Sequence, residues 1–142
     1  TLLILKILKI SLVEGAGTLA DTFKNTGVDL TTTDPTTIYT VPTAAPGTTG
    51  TPPIFPTTAV IKSIIVCNDS ASTTEYTIEW TDSSASATYK ITNDKTIATD
   101  TTYEVLSQPL VLEESDLIKI TANAANQIHI TLSLLEITKG DL

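Results

Sequence analysis

From Thr58 onward, apolar and polar positions alternate in short blocks separated by clusters of turn-forming residues. The block from Thr58 to Asn68 is a nearly continuous apolar run, as expected of a buried strand. Thr74 to Trp80 alternates, with Tyr76, Ile78 and Trp80 on one face and Glu75, Thr77 and Glu79 on the other. Shorter strands are predicted at 88–92, 102–106, 109–112 and 117–121, and a last long one at 127–137. Turn clusters stand between them at 68–72, 82–86, 93–95, 113–116 and 122–126. Short, regularly spaced strands predict an all-β fold, an antiparallel β-sandwich of jelly-roll or Ig-like type. Ile64, Val66, Trp80, Val105, Leu112, Ile118, Ile120, Ile130 and Leu132 are the expected core.

The chain before Thr58 follows another rule. Residues 1–33 read as a leading arm: an apolar stretch from Leu2 to Val13, then pieces divided by turns at 14–17 and 25–27. Lys6 and Lys9 interrupt the apolar stretch, leaving it too short to span a bilayer. The charges also fall in the wrong place for a secretion signal, which carries them ahead of its apolar core. Both an amphipathic helix and a strand packed on a neighbour fit the pattern. Residues 34–142 make up the sandwich domain, opened by an alternating strand at 37–41. Five prolines (42, 46, 52, 53 and 56) then mark 42–56 as an extended surface loop, which cannot be helical and pairs poorly with a sheet.

Composition narrows the function classes. The chain has 142 residues, enough for one domain with its own core. Thr supplies about a fifth of it, and β-branched Thr favours strands. Eight basic residues, all Lys, face sixteen acidic ones, for a net charge of −8. Such a chain repels phosphate backbones and anionic bilayers, so neither nucleic acid nor membrane is an expected partner.

Residues with catalytic or metal-binding chemistry are few. Cys67 is the single cysteine, so no internal disulfide or multi-cysteine metal site forms; it reads as a small core residue. Nucleophilic chemistry at Cys67 requires a base such as His129, the single histidine, which alternation places on the solvent face with Gln127 and Thr131. Glu75 and Glu79 share a strand face, and Glu113, Glu114 and Asp116 crowd one turn. A glycosidase pair or a calcium turn needs more: a sugar platform in one case, a spaced oxygen-ligand pattern in the other. No catalytic residues, cofactor or metal are therefore expected.

The ordered set Thr37-Ile38-Tyr39-Thr40-Val41-Pro42, 59–68, 103–106, 109–121 and 122–137 resembles a small β domain recurrent in structural proteins of tailed bacteriophages, marine and cyanobacterial phages among them. Its fragments are a YTVP strand, a KSIIV-N strand, a PLVLE segment, a D-IKIT strand and a closing AAN-I-I strand, spanning residues 37–137 of 142. Ser115 stands where the pattern commonly carries Gly, and the 42–56 loop is longer and richer in proline. Residues 1–33 lie outside the likeness.

The resemblance implies a non-enzymatic virion component: a capsid decoration (cement) protein or a neck or tail accessory, localised to the virion. Its expected partners are other phage structural proteins and further copies of itself as a homo-oligomer. A carbohydrate-binding or adhesion module is the alternative. Exposed apolar segments mark interfaces. The expected contact residues are therefore Leu3, Leu5, Ile7, Leu8 and Ile10 of the leading arm, packing on another subunit or virion protein, with Ile54 and Phe55 of the proline-rich loop.

Overall fold

The computed structural model describes residues 21–139. Within them lie nine strands: β1 (Thr22–Asp29), β2 (Thr36–Thr40), β3 (Thr57–Asn68), β4 (Thr74–Asp82), β5 (Ala87–Ile97), β6 (Thr101–Glu104), β7 (Leu110–Leu112), β8 (Leu117–Ala122) and β9 (Ile128–Thr138). No helix occurs among the described residues. The first sheet runs β1-β9-β3-β6, with β7 also paired to β3; the second runs β2-β8-β4-β5. All pairings are antiparallel.

The strand order settles the type of sandwich. β6 and β7 pair with successive parts of the same side of β3, so they act as one interrupted strand. Counted that way, eight strands lie in the orders 1-8-3-6 and 2-7-4-5. That is a jelly roll, in which most connections cross between sheets. The Ig-like arrangement keeps other strands together and does not fit.

The sandwich begins earlier than its sequence suggests. β1 lies inside the stretch read as an arm, and pairs with β9 over its full length, from Thr22 opposite Glu136 to Asp29 opposite His129. Residues 25–27, expected to turn, run straight through this strand. Gly27 has ordinary extended backbone there; a Cβ added to it would meet the Thr131 hydroxyl at an unstrained 3.6 Å. Asn93 to Lys95, also expected to turn, lie within β5, whose pairing with β4 shifts register instead.

The core is the set of inward positions. Ile64, Val66, Leu112, Ile118, Ile120, Ile130 and Leu132 are buried as expected, joined by Ile61, Ile78, Ile97, Ile128 and Leu134. Trp80 and Val105 are half-buried and pack against this core from its margin. A register shift between Ile61 and Ser63 resets the alternation of β3. Both Ile61 and Ile64 therefore point inward, while Ile65 and Cys67 turn outward. Cys67 is thus half-buried on the outer face rather than a core residue.

The two outer faces differ. Across the first sheet, one row of outward residues is apolar on every strand: Phe23 opposite Leu135, Leu135 opposite Val60, and Val60 opposite Val111. Phe23 is 80% exposed and Val111 56%. Across the second sheet the corresponding row is charged or polar: Thr37, Lys119, Glu79 and Lys90, each opposite the next.

Candidate functional site

Between β2 and β3, residues 42–56 fold on themselves. Ala45 and Ile54 exchange both backbone hydrogen bonds at 2.9 Å, and Thr48 and Thr51 do the same. The result is a narrow two-stranded finger closed by Thr49 and Gly50. The prolines permit it because none supplies a bonded N–H; the donors are residues 45, 48, 51 and 54. Gly50 takes φ +87°, where only glycine is unstrained. Gly47 lies so close to Pro53 that a Cβ would stand 2.9 Å from its ring. One side of the finger is an open apolar groove of about 290 Å³ formed by Ala45, Pro46, Pro53, Ile54 and Phe55. Ile54 is half exposed and Phe55 half-buried.

The acidic turn 113–116 grips the base of this finger. The Ala44 N–H donates to Glu114 Oε1 at 2.5 Å, and the Thr43 and Ser115 hydroxyls lie 2.6 Å apart. The Val41 N–H donates to the Asp116 carbonyl, and the Ser115 N–H to that of Val41. Ser115 holds φ +65°, a left-handed conformation that favours glycine. Asp116 is buried, and its carboxylate accepts three N–H groups: Trp80 Nε1 at 3.1 Å, Ser83 at 2.9 Å and Glu113 at 3.1 Å. The Asp116 oxygens bind the chain's own donors, so this part of the turn clamps the base of the finger, while Glu113 stays exposed.

Other polar groups are committed in the same manner. Buried Asn68 donates to the Ser72 and Ile97 carbonyls and accepts from both the N–H and hydroxyl of Ser70, fixing the turn after β3. Glu104 bridges the gap between β6 and β7, accepting from the Ser63 hydroxyl and from the N–H groups of Ile64 (2.9 Å) and Leu106 (3.2 Å). Partial burial pushes its carboxyl up, but the Ser63 hydroxyl and these N–H groups outweigh that and hold it below the usual value.

Glu136 continues the inward series Ile128, Ile130, Leu132 and Leu134 and is itself buried. It accepts the Tyr39 hydroxyl at 2.8 Å across the sandwich and pairs with Lys24 Nζ at 2.6 Å. Burial, with the Glu136 hydrogen bond and charge, pushes the Tyr39 phenol far above its ordinary value. The alternation of β9 alone marks Glu136 as an inward charge needing a partner. It does not identify which residue on another strand supplies one.

Cys67 and His129 stand opposite one another on the outer face, and His129 Nε2 lies 3.0 Å from Asp69 Oδ2. Cys67 makes no hydrogen bond to either, so the set is an exposed His–Asp hydrogen bond beside a thiol. Glu75 and Glu79 are separated by their partners: Glu75 meets Asn123, and Glu79 sits between Lys119 and Lys90. Among the described residues no three His, Cys, Asp or Glu side chains are placed to hold a metal ion. Of the expected contact residues, Ile54 and Phe55 are together on the finger, while Leu3, Leu5, Ile7, Leu8 and Ile10 lie outside the described residues. No family model matches the chain, and no curated protein matches its sequence.

Proposed function

We propose that this chain is a non-enzymatic structural subunit of a tailed-phage virion, a capsid decoration (cement) protein or a neck or tail accessory. It acts by subunit–subunit packing as a homo-oligomer with other phage structural proteins as partners. The observation that carries the reading is the finger, an apolar surface held in one shape before any partner arrives. Its cross-bridges and its grip on the 113–116 turn reduce the ordering cost of docking, which otherwise opposes association. The YTVP segment of the phage-like pattern begins at the end of β2 and the D-IKIT segment runs into β8; these strands pair with each other and flank the clamp. The jelly roll adds support by analogy alone, since it recurs in viral capsid domains and in lectins.

An epitope-tagged chain expressed during phage growth should co-sediment with particles through a density gradient, and immunogold should mark their surface. A chain left in the soluble fractions overturns the reading. Ile54→Ser should weaken attachment while the melting temperature of the free protein barely moves, because Ile54 is half exposed.

A glycan-binding module is the second reading. The Tyr89 ring, half exposed and stacked on Trp80 with centroids 5.2 Å apart, favours it. Glycan binding that Tyr89→Ala abolishes would replace the first reading with this one.

A further inference from the structure

The apolar row across the first sheet has an occupant close at hand in the chain. Phe23 begins the row, and the described chain starts only two residues earlier. Just before it in sequence come residues 2–13, in which every residue except Lys6, Lys9 and Ser11 is apolar. We infer that residues 2–13 pack on the outer face of the first sheet of their own domain, over Phe23, Leu135, Val60 and Val111. This inference is independent of the virion reading.

Three observations carry it. The row is continuous, with one apolar side chain on each of four adjacent strands and Phe23 and Val111 widely exposed at its two ends. Scattered exposed apolar residues need no explanation, but an uninterrupted row across a sheet marks a surface that is covered. Beside the row, the same face holds an open groove of about 630 Å³, walled by Phe23 and Lys62 and floored at Asn25 and Ser133. The groove lies over the short, paired side chains of Asn25 and Ser133, between the larger Phe23 and Lys62.

Length is sufficient. Four strands at about 4.8 Å spacing place the outer two roughly 14 Å apart. Residues 2–13 cover about 18 Å even at the 1.5 Å rise of a helix, and more if extended. Residues 14–21 separate the segment from β1 and reach up to about 26 Å, with Gly15 and Gly17 able to reverse direction. A tether this short keeps the segment at an effective concentration near the millimolar range over its own sheet, ahead of the same segment from another copy. Lys6 and Lys9 can keep their ammonium groups in water while their stems lie along apolar surface.

The test is paramagnetic relaxation on the full chain. A nitroxide is placed at Ser11→Cys in a Cys67→Ser background, and amide peaks are read in the ¹⁵N-labelled protein. Phe23, Val60, Val111 and Leu135 should lose most of their intensity, while Glu79 and Lys119 on the other sheet should be little affected. Leu135→Asp with Val111→Asp should abolish the loss while peak dispersion shows the domain still folded. Broadening spread evenly over both sheets, or absent from the first, overturns the inference. A mixture of ¹⁵N-labelled chains without nitroxide and unlabelled chains with it separates the remaining case. Broadening in that mixture places a second copy's segment on the face and overturns packing within one chain.

Discussion

The two sheets share one interior and differ in one row of their exteriors. Both send apolar side chains inward, Ile, Val and Leu from the first and mainly Ile from the second, yet the first carries Phe23, Leu135, Val60 and Val111 outward where the second carries Thr37, Lys119, Glu79 and Lys90. Strand alternation explains the interior of each. The exteriors differ along that one row, while outward His129, Thr131 and Ser133 of β9 are polar like the second sheet's face. A strand covered on both sides becomes apolar throughout, and one facing water keeps a polar phase. β3 and β9, at the centre of the first sheet, contain Ile64-Ile65-Val66 and Leu134-Leu135; β4 and β8, at the centre of the second, keep Glu79 and Lys119 in their outward phase.

Breaking the shared interior should remove both exteriors at once, and this is the largest effect expected. Ile64→Ala or Ile130→Ala deletes fully buried methyl groups at the meeting of the sheets and should cost about 2–5 kcal/mol in urea unfolding. Fluorescence of Trp80 on the second sheet and hydrogen exchange along β9 on the first should report one coincident transition. Separate midpoints would mean that the sheets do not depend on each other.

Each sheet also relies on a carboxylate, in contrasting surroundings. Asp116 is buried, so Asp116→Ala strands three donors, including the Trp80 indole, and should cost about 3 kcal/mol. Its loss should also loosen the finger, visible as faster exchange of the Ala45 and Ile54 amides. Glu104 is exposed, so Glu104→Ala should cost only about 1 kcal/mol, because water can reach the freed donors. Its carboxyl is held below the usual 4.5, so the charged form is favoured in the folded state. That contribution is full above the unfolded-state value and disappears as pH falls through the lower folded value. The gap between wild type and Glu104→Ala, measured by urea midpoint, should therefore narrow on acidification below about pH 4.5. A gap independent of pH would mean the carboxylate contributes nothing through its charge.

The sandwich was legible wherever alternation was clean, as in Ile128, Ile130, Leu132 and Leu134, and in the blocks that became β3, β4 and β8. β1 was hidden because its inward positions include Lys24 and Thr26 and its middle is Asn25-Thr26-Gly27, which reads as a turn. Only pairing with β9 makes it a strand, and pairing is a long-range fact. The finger was half legible. Five prolines correctly exclude a helix, but local sequence does not reveal that the free N–H groups at 45, 48, 51 and 54 face partners within the same loop. Glu136 is flagged by its phase in β9, whereas Tyr39 and Lys24 reach it from strands far away in sequence. The cluster Glu113, Glu114 and Asp116 showed where an acidic turn lies without showing that Asp116 and one oxygen of Glu114 accept the chain's own N–H groups.

The smallest effects belong to the outer rows themselves, and they test whether the contrast between faces has energetic content. Val60→Thr keeps shape and adds a hydroxyl at the centre of the first sheet's row. If that row is covered, the hydroxyl is buried without a designed partner and should cost about 1 kcal/mol in the full chain. Glu79→Gln in the second sheet's row removes a charge that lies between Lys119 and Lys90 in water. Cross-strand charge pairs of this kind contribute about 0.2–1 kcal/mol, so the loss should stay below that of Val60→Thr. The two also differ in their response to salt. Exposed pairs are screened at about 1 M salt, where the Debye length falls to about 3 Å, so the Glu79→Gln penalty should vanish there. The Val60→Thr penalty should persist, because it comes from burial rather than from charge. Equal penalties at low salt, both lost at high salt, would mean that the first sheet's outer face is as wet as the second's and that nothing lies over it.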